Sequence, residues 1–240
     1  MRWQISKNFS ALTVDKVHIW RANLARPEKE IANFLAILNV QERERADRFM
    51  VQAARSSFIV ARAILRQLLA RYLTVKAQEV IFRQNSYGKL YVDATPLQFN
   101  LSHSHGLAVF IFALETPVGI DVEFIRDDYN FEEIAQKFFS PIEAAQLFAL
   151  PEEQRPQAFF NCWSRKEAFI KALGTGMFSS LDKFAVEVFY NKEGVVKLLQ
   201  VENDLDQKSW RLEAFDPMTK YAGAFAVKRS SACTTSFYDF

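Results

Sequence analysis

The sequence predicts an α+β fold made of two similar halves, and three observations support that reading. A strand, then helices, then several strands run from residue 16 to residue 114, and the same order starts again at residue 118. Pro117 and Gly119 punctuate the chain between the two runs, and no Ser/Gly-rich linker separates them. With 50% apolar and 24% charged residues, the chain has enough apolar surface to bury a core in each half. The halves would span 1–117 and 118–240. Their sequences do not repeat visibly, so the likeness is one of element order alone.

The elements follow in turn. "KVHIWRANL" (16–24) alternates Val17 and Ile19 against His18 and Trp20, which is a strand. Ile31, Phe34, Leu35 and Leu38 fall at helical spacing over 28–38. Asn39 can cap a second helix through "QERERADRF", and 57–73 forms a third, with Phe58, Ala61, Ile64, Leu65, Leu68 and Tyr72 on its buried side. Strands are expected at 79–84, 89–93, 97–103 and 107–114, with "NSYG" (85–88) as a turn. In the second half "VGIDVEFI" (118–125) is a strand and "NFEEIAQKFF" is helical. "SPIEAAQLFAL" opens with Ser140 as N-cap, Pro141 next and Glu143 three after the cap. A helix from about Pro156 to Leu173 stops at Gly174. Strands are expected again at 184–189, 195–201, 210–215 and 221–227, with "NKEG" (191–194) as a hairpin turn and 229–240 as a loose tail.

Composition narrows the function classes. Thirty Lys and Arg against twenty-eight Asp and Glu leave a net charge of +2, which gives no whole-chain signal for nucleic acid or a membrane surface. The only cysteines, Cys162 and Cys233, lie far apart, and no Cys/His grouping has zinc spacing. "MRWQISKNFS" lacks an apolar signal core, and no apolar run reaches the length of a membrane span. The default expectation is a soluble protein of a reducing cytoplasm.

Three stretches carry chemistry. In "CWSRKEAFIKALGTG" (162–176), Glu167 and Lys171 are four apart and share a helix face. They form either a solvated ion pair or a pair of working groups in a cleft. In "GIDVE", Asp121 and Glu123 leave one face of a strand, while Ile120 and Val122 leave the other. Adjacent carboxylates repel unless a cation sits between them, and an oxygen-rich pair of this kind suits Mg²⁺; a solvated strand face is the alternative. In "NLSHSHG" (100–106), Ser102, His103 and Ser104 interrupt an apolar region, where hydroxyls and an imidazole can hold phosphate or simply satisfy one another. "QERERADRF" adds Arg43, Arg45 and Arg48, interleaved with Glu42 and Glu44, as a basic edge or an ordinary solvated helix.

Taken together, and in that order, "NLSHS", "VGIDVE" and "WSRKEAFIK" resemble the large, Sfp-type 4'-phosphopantetheinyl transferases. That family's hallmarks are a (V/I)G(I/V)D-x-E strand and an (F/W)-(C/S/T)-x-K-E-x-x-x-K helix. "YGKL" (87–90) also matches, and the resemblance runs from about residue 40 to 228. It implies two α+β halves related by a pseudo-twofold axis, with the active site in the cleft between them, in a monomer. The implied reaction moves the phosphopantetheine arm of coenzyme A to a serine hydroxyl of an apo acyl, peptidyl or polyketide carrier protein and releases adenosine 3',5'-bisphosphate.

By the same resemblance, Asp121, Glu123 and Glu167 are metal ligands for Mg²⁺, with Mn²⁺ as the alternative. Glu167 or a water is the base, and Lys171 meets the α-phosphate. Ser102 and His103 bind phosphate, and Lys89 lies near the adenine. Many relatives carry lysines for the 3'-phosphate in the segment after the first helix; here that segment is "NVQERERADRF", in which Arg43, Arg45 or Arg48 can substitute, and Arg43 and Arg45 are the expected pair. A carrier-docking surface is expected after "GIDVEFI", among Phe124, Tyr129, Phe131, Phe138 and Phe139. Two other readings stay open: a carrier-binding module without catalysis, and another Mg²⁺-dependent phosphotransferase.

Overall fold

The computed structural model describes residues 2–5, 9–127, 130–175, 181–189, 194–201, 206–229 and 233–240. Its first half holds β1 (Trp3–Ile5), β2 (Lys16–Asn23), α1 (Glu28–Ile37), α2 (Val40–Asp47), α3 (Gln52–Leu73), a short hairpin of β3 (Arg83–Gln84) and β4 (Leu90–Tyr91), then β5 (Leu97–Ser104) and β6 (Leu107–Leu114). The second half holds β7 (Val118–Phe124), α4 (Phe131–Phe138), α5 (Pro141–Phe148), α6 (Arg155–Leu173), β8 (Phe184–Val186), β9 (Gly194–Val196), β10 (Leu198–Val201), β11 (Arg211–Phe215) and β12 (Tyr221–Val227). A last strand, β13 (Thr234–Asp239), follows.

Two large sheets form, ordered β1-β13-β2-β6-β5 and β7-β12-β11-β9, beside the two-stranded pairs β10-β8 and β3-β4. Their apolar faces meet: Val17, Ile19, Val109 and Ile111 of the first sheet pack with Ile120, Val122, Phe225 and Val227 of the second. The other face of the first sheet takes α3, through Val60, Ile64 and Leu68 against Trp20, Phe110 and Phe112. The other face of the second sheet takes α6. The result is helix, sheet, sheet, helix, with the central strand β6 apolar on both faces, as a strand in an inner layer must be, while β5 and β7 at the sheet edges carry polar side chains.

Local signals set most of the ends. Asn39 caps α2 by accepting from the Glu42 amide, and Glu42 returns the bond to the Asn39 amide. Ser140 and Glu143 do the same for α5, as the capping-box spacing predicts. Helix α6 ends at Gly174, whose φ of 71° is the left-handed cap that glycine adopts without a Cβ penalty.

Three expectations need correction. The tail is not loose: β13 pairs in parallel with β2 and with β1, so it lies inside the first half's sheet. The expected strand 195–201 splits in two, since β9 joins β11 while β10 joins β8. The strands at 79–84 and 89–93 shrink to two residues each, after a 3-10 turn at Ala77–Glu79. Most of "NKEG" (residues 191–193) lies outside the described residues, as does Tyr129.

Candidate active site

Small residues first bring the pieces close. A Cβ on Gly119 would stand 2.2 Å from the Ala168 carbonyl oxygen and 2.3 Å from the Ala172 nitrogen, so β7 and α6 touch backbone to backbone there. Ala222, Ala224 and Ala226 of β12 continue this shallow floor under α6. The close approach lets short carboxylate side chains from β7 and α6 share one space.

The edges of the two sheets meet at the same place. The first sheet ends in β5 and the second in β7, and alternate polar residues of β5 bridge them. Asn100 accepts from the Ile120 amide at 3.0 Å. Ser102 donates to Asp121 Oδ1 at 2.7 Å. Ser104 donates to Glu123 Oε2 and accepts from the Phe124 amide, both at 3.1 Å. The polar interruption read in "NLSHS" is therefore a row of side-chain rungs between the halves.

Lys171 reaches over these rungs. Its ammonium donates to Asp121 Oδ1 at 2.7 Å and to Ser102 Oγ at 2.9 Å. Asp121 is 2% exposed and Glu167 5%. Burial pushes Glu123 up to about 7, and Asp121 pushes the same way. Burial pushes Glu167 up to about 7 as well, with Asp121 adding to it and Lys171 opposing it. Burial alone would lower Lys171, yet Asp121, Glu167 and Glu123 hold its ammonium above the ordinary lysine value. Three carboxylates crowd a space served by one ammonium.

Two buried carboxylate oxygens there, Asp121 Oδ2 and Glu167 Oε1, have no hydrogen-bond partner. Such oxygens fit a hard divalent cation, which takes carboxylate oxygen together with water and phosphate. Among the described residues, no group of three or more His, Cys, Asp or Glu side chains stands arranged to hold a metal ion.

A cavity of about 430 Å³ opens beside this cluster. Ser102, His103, Glu167, Lys171, Arg45 and Arg62 are among the residues that line it. The expected residues are thus placed as follows. Asp121, Glu123, Glu167, Lys171 and Ser102 come together, and His103 and Arg45 reach the same cavity. Arg43 does not line it. Its Nε donates to the Leu38 carbonyl and its Nη2 to that of Ala36, fastening the end of α1. Lys89 lines the wall, but its ammonium donates to main-chain carbonyls of the second half.

Glu42 accepts from Arg66 at 2.7 Å. Arg62 was missed by the sequence reading. It lies between the Phe58 and Phe82 rings, 3.8 Å from Glu42 at its nearest, and burial pushes it down to about 10. Two arginines four apart, Arg62 and Arg66, on the buried side of a largely apolar helix are the signal that could have found it. Ser104, which the resemblance gave no role, stands two residues after Ser102 on the same strand face and donates to Glu123.

The expected aromatic docking surface is largely core. Phe139 is buried, and Phe131 and Phe138 pack against the α6 core, because α4 turns its apolar side inward. Phe131 and Phe138 keep part of their surface exposed, as does Phe124, which stacks on His105 with centroids 4.2 Å apart.

Two α+β halves meeting over a cleft, with carboxylates at its floor and cations along its wall, make a group-transfer enzyme for a phosphate ester. Comparison with known proteins gives the family. Residues 117–226 match the 4'-phosphopantetheinyl transferase superfamily, and residues 8–115 match the 4'-phosphopantetheinyl transferase N-terminal family. The 4'-phosphopantetheinyl transferase HetI of Nostoc sp. is 39% identical over 170 residues, covering 69% of this chain and 72% of that protein. The 4'-phosphopantetheinyl transferase Sfp of Bacillus subtilis is 28% identical over 172 residues, covering 71% and 75%. The crystal structure of holo-[acyl-carrier-protein] synthase from Thermotoga maritima aligns with a TM-score of 0.36 and 22% identity, over 48% of this chain and 64% of that one. The chain belongs to the 4'-phosphopantetheinyl transferase family.

Proposed function

We propose that this chain transfers the 4'-phosphopantetheine arm of coenzyme A to a serine hydroxyl of an apo carrier protein and releases adenosine 3',5'-bisphosphate. The observation that carries the reading is the Lys171 ammonium, held between Asp121 and Ser102 where the cavity meets the carboxylates. The serine oxygen forms a bond to the phosphorus bearing pantetheine as the bond to the bisphosphate oxygen breaks. Glu167, directly or through a water, takes the serine proton. Its raised pKa keeps it a competent base near neutral pH. Lys171 meets the charge that gathers on the leaving phosphate. Ser102 and His103 hold phosphate oxygens, and Arg45 and Arg62 face the 3'-phosphate.

Asp121, Glu123 and Glu167 would hold Mg²⁺, or Mn²⁺ in its place. The orphaned oxygens of Asp121 and Glu167 support this. Bound there, the cation would screen the pyrophosphate charge. The chain would act as a monomer in the cytoplasm, with halves dividing at 117/118, on acyl, peptidyl or polyketide carriers and not on nucleic acid or membranes. No helix among the described residues is long and apolar enough to cross a membrane.

Mass spectrometry of an apo carrier incubated with coenzyme A, Mg²⁺ and this chain tests the reading. A mass gain of one phosphopantetheine is expected. A carrier that binds but stays unmodified would instead mark a binding module.

A further inference from the structure

We propose that Lys89 is a positioning residue for the transfer: it fixes the last turn of α6 against β7, so that the Lys171 ammonium stands at Asp121 and Ser102. The proposal rests on the reading of the chain as a phosphopantetheinyl transferase.

Lys89 follows a tight turn in the first half, with Gly88 at a φ of 83°. Its ammonium donates to the carbonyls of Lys171 at 2.7 Å, Val118 at 2.9 Å and Ala172 at 3.4 Å. All three acceptors belong to the second half. The Lys171 and Ala172 carbonyls lie in the last turn of α6, where carbonyls lack intrahelical partners and the helix end favours a cation. The Val118 carbonyl starts β7. One ammonium therefore pins together the helix end that carries Lys171 and the strand that carries Asp121.

Asn85 works on the same joint. Its Nδ2 donates to the Gly174 carbonyl at 2.9 Å. Its Oδ1 accepts from the Tyr87 and Lys89 amides, each at 2.9 Å, which holds the turn in shape. The turn lies close against the helix cap: a Cβ on Gly174 would stand 3.5 Å from both Asn85 and Lys89.

The ammonium has three N–H bonds and three carbonyl acceptors, so no donor is left over for a ligand. Only its stem serves as cavity wall. Burial pushes this ammonium down to about 8, a cost that a plain surface tether would avoid. Two lysines thus cross the cleft in opposite directions. Lys89 runs from the first half to the Lys171 carbonyl, and Lys171 runs from the second half to Ser102. A long, flexible side chain such as Lys171 is aimed only if its backbone is held, and displacing a reacting group by about 1 Å can cost ~100-fold in rate.

Lys89→Met keeps the stem and deletes the ammonium. In the carrier assay with coenzyme A and Mg²⁺, kcat is expected to fall ~10–100-fold while the KM for coenzyme A moves less than ~3-fold. Amide exchange over 171–174 should quicken while that of β6 stays unchanged. A large rise in KM with kcat intact would make Lys89 a ligand contact. A lower melting temperature with kcat per folded molecule unchanged would make it a tether. Either result overturns the proposal. Should Lys89→Met fail to fold, Asn85→Ala is expected to give the same split in smaller measure, and a variant without that split overturns the proposal as well. Absence of transfer by the unaltered chain would defeat the functional reading instead, and the exchange measurement would then still decide whether Lys89 holds the helix end.

Discussion

Lys171 Nζ stands 2.7 Å from Asp121 Oδ1, so a base on the end of α6 neutralises an acid in the middle of the β7 edge strand. The pair is unequal, because Asp121 is nearly sealed from solvent while the Lys171 side chain is 27% exposed. Asp121 takes both Ser102 and Lys171 on its Oδ1 and leaves a second carboxylate oxygen without a partner. Asp121→Ala is expected to lower transfer at least ~100-fold while leaving the melting temperature within a few degrees of the unaltered chain, since removing one of three crowded carboxylates relieves repulsion. Transfer rate and thermal melting, measured on one preparation, check it; full activity would remove Asp121 from the site. For Lys171→Ala, kcat should fall more than coenzyme A affinity, read by single-turnover kinetics beside calorimetry.

The arginines divide by where they point. Arg45 and Arg62 face the cavity, and Arg43 fastens α1. Arg45→Ala should weaken coenzyme A binding by roughly 10–100-fold, the loss of a charge-assisted phosphate contact, and leave dephospho-coenzyme A almost unchanged. Arg43→Ala should leave both ligands unchanged and cost about 1 kcal/mol of stability. Calorimetric titration with the two ligands separates these outcomes. Equal weakening of both ligands by Arg45→Ala would take Arg45 away from the 3'-phosphate.

A second lysine of the same helix serves the fold alone. Lys166 and Glu143 are both fully buried, 2.6 Å apart. Lys166 also donates to the Phe184 carbonyl, and Glu143 accepts from the Ser140 and Val186 amides. Removing one partner strands the other, so Lys166→Met should cost about 3–5 kcal/mol in denaturant unfolding. Pairing it with Glu143→Leu should recover part of that loss. A cost under about 1 kcal/mol for the single change would contradict the buried pairing.

Acid should loosen the first half through His18. The side chain is buried, with Nδ1 2.9 Å from the Tyr72 hydroxyl and Nε2 3.4 Å from Ser10. Burial, then Lys16, lowers its pKa to about 4. The folded value is depressed, so the unfolded chain takes up the proton first. The stability involved is intact above about 6.5 and is lost as pH falls toward 4, by roughly 3 kcal/mol in full. His18→Gln should flatten that window, measured as unfolding free energy at pH 7 and pH 5. An unchanged slope would clear His18.

Much of this site was legible because its residues sit where two periodicities can be counted. Asp121 and Glu123 are two apart on a strand, and Glu167 and Lys171 four apart on a helix; both spacings are local, and both survive folding. The capping boxes at Asn39 and Ser140 are local as well. What stayed hidden depends on distant partners. The strand 234–239 contains polar Thr234, Thr235 and Ser236, and it reads as tail until β2 is there to pair with it. Arg43 and Arg45 look alike in sequence, and only the position of α1 shows which one is occupied. Lys89 gave no sign of its target, because the carbonyls it meets lie 29, 82 and 83 residues further along the chain. For the aromatics of 131–139, nothing in their own segment separates core from docking surface, because only α6 packing on them decides it.

The position of β13 has a consequence for how the chain is made. Residues 234–239 lie between β1 and β2, so the first sheet has a gap until some two hundred further residues have left the ribosome. A nascent first half carries β2 with an open edge and cannot complete its own sheet. It must either wait or pair wrongly, and open edges invite other chains. Closing so long a loop makes this a late, slow step. Folding of the first half is thereby timed by the completion of the second, so the arginines of α2 and α3 are set in place only when the carboxylates of β7 and α6 have also been made.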